Sequence, residues 1–374
     1  MKKIAIIGAS YLQLPLVKKA KELGMEVHCF AWEEGAVCAD YADFFYPIST
    51  IDKEKILEEC KRIGIDGIVS IASDIAVPTV NYVASCMHLY GNDVRYSDIV
   101  TNKIKMRECF LNNNIPSPRF RIAKNSDNLK NVEDMHFPVI VKPADRSGSR
   151  GVEKVDSPEL ISEAVQRAIN ESFAHEAIIE EYIEGCEISV ECISWQGQHQ
   201  LLQITDKVTT GAPYFVELEH HQPSSLPDDV KKQIKDIVYH ALDALHIEYG
   251  ASHSEFKITP NGDIRVIEIG ARMGGDFIGS DLVKLSTGYD FLKGVIEVAL
   301  GDFHTPHITQ QNYSGIYFLS EETRQLKPII EHWQDHPEII MAEITSPELY
   351  HIECSGDRSG FLIYQSINGR LKFI

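Results

Sequence analysis

The chain has 374 residues, with 55 Asp or Glu against 36 Lys or Arg and a formal net charge of -19. Nucleic acids and anionic membranes are bound through clustered Lys and Arg, so this balance, with no basic block, excludes both as principal partners. At 44% apolar and 24% charged, the chain has an ordinary globular composition, and eight cysteines without a C-x-x-C pair fit a reducing cytoplasm better than a disulfide or zinc framework.

Lys2 and Lys3 followed by the largely apolar residues 4–17 faintly imitate a signal peptide. Ser10 and Gln13 interrupt the run, and Lys18, Lys19 and Lys21 stand where a cleavage site belongs. No run reaches the ~18 residues of a membrane span, so the segment reads as a buried strand opening a domain. Gly8 ends that strand, and a helix follows with Leu12, Leu16, Val17, Ala20 and Leu23 on one stripe and Gly24 after it. The cycle repeats with a strand at 27–31, a helix carrying Ile56, Leu57, Cys60 and Ile63 before Gly64, and a strand at 68–71. Strand, helix, strand in this order predicts a parallel sheet with right-handed crossovers over residues 1–97. Gly8 and Glu33 raise the thought of NAD, but Gly8-Ala9-Ser10-Tyr11-Leu12-Gln13 lacks the second and third glycines that let a backbone approach a pyrophosphate.

From Ser97 the texture changes. Thr101 is placed to cap a helix with Met106, Cys109 and Phe110, which ends at Asn112-Asn113-Asn114. A strand at 139–142 leads to a Gly- and Ser-rich loop at 145–151, and Ser157-Pro158 opens a helix with Ile161, Ala164, Val165, Ala168 and Ile169 on one stripe. Further helices are predicted through Val230 to Leu245 and over 289–300, and residues 302–374 read as a small β-rich closing domain.

Three segments carry chemistry. In the first, the strand delivers Lys142, and the loop Asp145-Arg146-Ser147-Gly148-Ser149-Arg150-Gly151 has no bulky apolar residue, so its N–H groups are free to cradle phosphate oxygens. It does not match a P-loop, and a flexible hairpin tip is the plainer alternative. In the second, Asn261-Gly262 between apolar alternations signals a two-residue hairpin turn, which sets Glu255 directly opposite Glu268. Like charges about 4.5–5.5 Å apart across strands repel unless something lies between them, and a divalent cation suits two carboxylates. A bulge that turns both acids to solvent is the alternative. In the third, the alternation after Gly185 puts Glu187, Ser189 and Glu191 on one face of a strand that follows Glu180, Glu181 and Ile183.

These segments, in this order and with Lys103 upstream, resemble the ATP-grasp superfamily over about residues 97–301. The resemblance implies an α/β and α+β fold: a Rossmann-like N-terminal domain at 1–97, an ATP-grasp domain at 98–301 with a mobile lid at about 120–182, and the C-terminal domain at 302–374. It implies ATP with Mg2+ or Mn2+, with Lys103 and Lys142 on the phosphates and Ser147, Gly148, Ser149 and Gly151 in the loop above them. Glu180, Glu181 and Ile183 would meet adenine, Glu187 the ribose, and Glu255 and Glu268 the metal. Arg272 would steady phosphate or an acyl intermediate, making Arg272 and Lys142 the catalytic pair. The superfamily commonly shows Glu-x-Asn where this chain has Glu268-Ile269-Gly270, so one side-chain ligand is missing and water is expected to replace it.

Residues 250–256 and 268–276 are most similar to the L-amino acid ligases, which join a carboxylate to an amine through an acyl phosphate. There Arg272, Gly274 and Gly275 would hold an amino acid carboxylate, and residues 209–223, with Glu217, His220 and His221, would set specificity. Biotin carboxylase-like or formate-dependent transformylase-like chemistry, and a non-catalytic ATP-binding regulator, stay open as alternatives. Oligomeric state, including a homodimer, also stays open.

Overall fold

The computed structural model describes residues 1–124, 132, 134–146, 148 and 150–374. Short apolar runs near the N-terminus are buried on both faces, as a parallel sheet requires. Strands β1 (Lys3–Ile7), β2 (Glu26–Phe30), β3 (Phe44–Tyr46) and β4 (Gly67–Val69) pair in the order β3-β2-β1-β4, all parallel. Helices α1 (Leu14–Glu22), α2 (Lys53–Ile63) and α3 (Val77–Met87) connect and flank them. Gly24 and Gly64 follow α1 and α2 in the left-handed conformation the pattern predicted.

Helix α4 (Lys103–Asn112) is capped by Asn102, whose side chain accepts from the N–H groups of Ile104 and Lys105. Thr101, the expected cap, instead donates its hydroxyl to the Ser97 carbonyl. An antiparallel sheet follows, ordered β5-β8-β6-β7 and built from β5 (Phe120–Ala123), β6 (Val139–Pro143), β7 (Glu153–Val155) and β8 (Ala177–Glu181). Helix α5 (Ile161–Glu171) covers it with the expected stripe, entered by a 3-10 turn at Pro158–Leu160 that Ser157 does not cap through its side chain.

The largest sheet holds eight antiparallel strands in the order β13-β12-β9-β10-β11-β14-β16-β15. They are β9 (Cys186–Trp195), β10 (Gln198–Thr209), β11 (Glu217–Gln222), β12 (Gly250–Ile258), β13 (Ile264–Gly270), β14 (Tyr313–Leu319), β15 (Ile339–Ile344) and β16 (Gly360–Ser366). The C-terminal strands therefore form no sheet of their own: β14 pairs with β11, Glu219 opposite Tyr317 and His221 opposite Gly315. Helix α6 (Asp228–Ala244) covers the apolar face of β9, β10, β12 and β13. Helices α7 (Val283–Thr287) and α8 (Phe291–Leu300) return the chain to the N-terminal unit, with α8 packed between α1 and β12 in one core. Helix α9 (Lys327–Glu331) closes the C-terminal core. Among the described residues, no helix is long and apolar enough to cross a membrane.

Gly185 opens β9 at φ +152°, and a Cβ there would lie 2.0 Å from the Ile258 carbonyl oxygen. Neither the conformation nor the close approach admits a side chain. Gly185→Ala is expected to lower unfolding free energy by more than about 1 kcal/mol in urea titration, whereas Gly197→Ala, at φ +74° in a turn with open space around it, meets only the cost of the left-handed conformation and loses less.

Candidate functional site

The β12–β13 hairpin brings Glu255 opposite Glu268 by a route other than the one the turn residues predicted. The loop is one residue longer than a two-residue turn: Thr259 N–H donates to the Asp263 carbonyl, and Ile258 pairs with Ile264. Pairing thereby slips by one residue and is restored where the register shifts again between Glu255 and Phe256, with Ile267 as the extra residue. The carbonyl of Ile267 accepts from Arg107 Nη2, which gives the bulge a partner. The two irregularities cancel, and the acids face each other across the strands.

Each of the two carboxylates is met by an ammonium. Lys103 Nζ lies 2.7 Å from Glu268 Oε1 and donates to the Arg146 carbonyl at 2.7 Å, so it spans β13 and the loop after β6. Lys142 Nζ lies 2.6 Å from Glu180 Oε2, and Arg107 Nε lies 2.6 Å from Glu180 Oε1. The Glu180 side chain is therefore engaged by two cations. Burial would raise its pKa, but Arg107 and Lys142 outweigh that and hold it below the usual range. Lys142 shares its acid with Arg107, and burial lowers its pKa.

The polar alternation of β9 forms a covered floor. Glu187 and Glu191 lie on the same face as Glu255 and His253 of β12 and Lys207 of β10. Lys207, its side chain 2% exposed, places Nζ 2.7 Å from Glu255, 3.1 Å from Glu187 and 3.2 Å from Glu217. One ligand oxygen from each of these three acids lies within 4.8 Å of the others. Burial would lower the Lys207 pKa, yet the acids, Glu255 first, raise it well above its ordinary value. Lys257 supplies a second cation to Glu187 at 3.1 Å. His253 pairs with Glu191 through Nδ1 and stands 3.5 Å from Glu255 through Nε2. Burial disfavours its charge, but Glu191 prevails and brings its pKa to about 9.

At the far end, Arg272 Nε and Nη2 meet Asp74 Oδ1 and Oδ2, both at 2.9 Å. The edge of the fork expected to take a substrate carboxylate is thus already paired with a carboxylate of the chain itself. The Gly274 N–H donates to Glu191 Oε2 at 3.1 Å, so it is not a free anion donor either. Gly270 lines the cleft, and a Cβ there would lie 2.6 Å from Asp74 Oδ1, so Asp74 occupies the space beside Arg272 that a side chain on β13 would fill. Arg358, from the segment between β15 and β16, reaches Asp276 at 2.8 Å and Glu217 at 3.2 Å.

One cleft of about 1200 Å3 is lined by Lys103, Lys142, Gly148, Glu180, Glu181, Ile183, Glu187, Glu217, Glu255, Glu268 and Arg272. Ile140, Tyr182 and Phe215 add an apolar lining suited to a flat ring. Gly274 and Gly275 line a smaller neighbouring pocket of about 290 Å3 with Tyr11 and Asp276. Gly151 is absent from both linings, and Ser147 and Ser149 lie outside the described residues. His220 is 1% exposed, its ring edge-on to Phe318, and sits beneath the site without lining it. The Gly8 turn is filled by Gln13, whose Oε1 accepts from Ser10 and whose Nε2 donates to the Ile71 carbonyl, leaving no seat for a pyrophosphate.

Asp74, Arg107, Lys207, His253 and Arg358 were not singled out in the sequence. For Lys207 a signal existed: Gln196-Gly197 is a two-residue turn between β9 and β10, which would set Lys207 within one residue of Glu187. A register shift between Leu201 and Gln203 supplies the missing step. Removing one partner of a buried ion cluster costs about 3–5 kcal/mol. Lys207→Met is expected to lose that much in urea unfolding, and Lys207→Met combined with Glu217→Gln to regain part of it. Wild-type stability in the single variant would refute the account.

A family model described as ATP-grasp domain matches residues 135–281. An uncharacterized protein, y4rH, of Sinorhizobium fredii is 25% identical over 68% of this chain and 54% of its own. The alanine–anticapsin ligase of Bacillus subtilis is 27% identical over 63% of this chain and 56% of its own, so the chain spans about half the length of these curated relatives. The crystal structure of the L-amino acid ligase from Bacillus licheniformis superimposes with a TM-score of 0.82 at 24% identity, covering 98% of this chain and 94% of that one.

Proposed function

We propose that this chain, which carries an ATP-grasp domain on the ATP-grasp fold, is an ATP-dependent, ADP-forming carboxylate–amine ligase with an amino acid among its substrates. The observation that carries the reading is the facing pair Glu255 and Glu268, in one cleft with Lys103 and Lys142. The alanine–anticapsin ligase and the L-amino acid ligase among the similar proteins support the reaction class.

The donor set fits a magnesium ion. Two carboxylates oppose each other, each already drawing a cation, and Mg2+ favours one or two carboxylates together with substrate phosphates. When bound, the metal supplies charge neutralisation on the phosphate oxygens. The protein's own groups do the rest. Lys103 and Lys142 bind phosphate oxygens of ATP, and Glu187 takes the ribose hydroxyls. Tyr182, Ile183 and Phe215 sandwich the adenine end. A substrate carboxylate oxygen attacks the γ-phosphorus as the bond to ADP breaks, giving an acyl phosphate. The amine nitrogen then attacks the acyl carbon, inorganic phosphate leaves, and the amine proton passes to solvent. Arg272 steadies the anion at the transfer point. Positioning and fixed charge suffice for phosphoryl transfer, and no side-chain nucleophile is needed.

The test is ADP release with ATP, Mg2+ and amino acids supplied in pairs. Turnover that requires two amino acids is expected, lost on chelation of Mg2+ and restored by its return. Glu268→Gln, which keeps shape and removes charge, should lower turnover by at least about 100-fold with an unchanged circular dichroism spectrum. Nucleotide binding without turnover across the whole panel would favour a non-catalytic role, and wild-type rates in Glu268→Gln would remove the metal assignment.

A further inference from the structure

Asp74 belongs to the N-terminal unit, in a 3-10 turn (Asp74–Ala76) between β4 and α3, and lies 198 residues from Arg272 in the chain. Its two oxygens nevertheless meet Arg272 in a two-pronged pair, both contacts at 2.9 Å, and both residues line the large cleft. Two further observations show that this contact is built in. The Ala72 N–H donates to the Met273 carbonyl at 3.1 Å, fastening the loop before Asp74 to the residue after Arg272. Ala72 does so at φ +55°, a conformation that costs a non-glycine residue about 1 kcal/mol or more and persists only where its surroundings impose it. Gly270 is the second. Any side chain there would meet Asp74 Oδ1 at 2.6 Å and Arg272 Nε at 3.1 Å, so the strand is emptied at this point and the ion pair fills the space.

We propose that Asp74 is the positioning residue for Arg272, held out from the N-terminal unit so that the guanidinium presents one fixed edge to the substrate anion. The proposal rests on the ligase reading above and deepens it. A guanidinium has five N–H donors. Asp74 takes one on Nε and one on Nη2, and the Met273 carbonyl takes one on Nη1 at 3.3 Å, which among the described residues leaves one on Nη1 and one on Nη2. Asp74 leaves the Nη1–Nη2 edge, whose spacing suits two oxygens of a carboxylate or phosphoryl group, with the long Met273 contact on Nη1 as its one competitor among the described residues. The Asp74 charge cancels much of the long-range attraction of Arg272, so its contribution is direction: the fork is locked before substrate arrives. Asp74 also ties the alignment of the reacting anion to the docking of the N-terminal unit, a link that strand and helix patterns do not reveal.

The test is a double-mutant cycle in the full-length protein, read by ADP release with ATP and the best amino acid pair. Asp74→Ala should lower kcat by about 10- to 100-fold, as a misplacement near 1 Å does, with the KM for ATP within about twofold of wild type. Arg272→Ala should be at least as severe, and the double variant should match Arg272→Ala, because Asp74 acts only through it. Losses that multiply in the double variant, an unaffected Asp74→Ala, or a KM for ATP that moves in step with kcat would each overturn the assignment. A substrate-free arm keeps the two readings apart. Gly270→Ala should lower the unfolding midpoint in wild type and cost much less in Asp74→Ala, where the clashing oxygen is gone. Equal cost in both backgrounds would refute the packing on which Asp74 depends. An absence of wild-type turnover alongside the expected unfolding result would count against the ligase reading alone.

Discussion

The buried ammonium of Lys207 is the constraint on which the site turns. Sheet faces turned inward are ordinarily apolar, yet here β9, β11 and β12 direct acids onto one covered floor to which β10 contributes Lys207. Two unit charges 4 Å apart interact by about 4 kcal/mol at an effective dielectric of 20, so Glu187, Glu217 and Glu255 cannot share that floor unaided. Lys207 stands among the three, and the remaining charge is taken up at the edges by Lys257 on Glu187, Arg358 on Glu217 and His253 beside Glu255. Across the cleft the balance reverses, with Glu180 held by both Arg107 and Lys142. An acidic floor under a basic wall is the polarity that a metal-bound triphosphate would use under the proposed function.

The same pairing explains why so many predicted ligand-binding groups are engaged. Lys103 and Lys142 hold carboxylates, Arg272 holds Asp74, and Glu191 holds both His253 and the Gly274 N–H. A cleft with this many ionised groups is stable on its own only if each finds a partner within the protein. Ligand binding then becomes an exchange of partners. The exchange leaves geometry largely preset, which is the condition under which electrostatic stabilisation is effective.

Much of this was legible in the residues. The apolar runs, the stripe of α5 and the glycines after α1 and α2 are local signals, and they led to the right elements. The opposition of Glu255 and Glu268 was also reached, although through a two-residue turn that does not form; a longer loop and a bulge cancel. The misses share a cause. Asp74 meets a partner 198 residues away, and Arg358 joins residues 82 and 141 positions distant. No periodicity records such contacts, because they depend on how separate units dock. The N-cap error is smaller in kind: Thr101 and Asn102 are both competent caps, and the choice is made where the Lys103 N–H docks on the Ala144 carbonyl.

The continuity of the eight-stranded sheet carries a consequence for how such a protein can change over evolutionary time. Strands β14, β16 and β15 prolong the sheet past β11, and the loop between β15 and β16 returns Arg358 to Glu217 and Asp276. A recombination breakpoint near residue 302 would bare the hydrogen-bonding edge of β11 and at once strip a counter-charge from the cleft. Any replacement for the closing segment would therefore have to restore both a strand partner for β11 and a cation for Glu217 and Asp276, so the sheet edge and the charge of the cleft are constrained together.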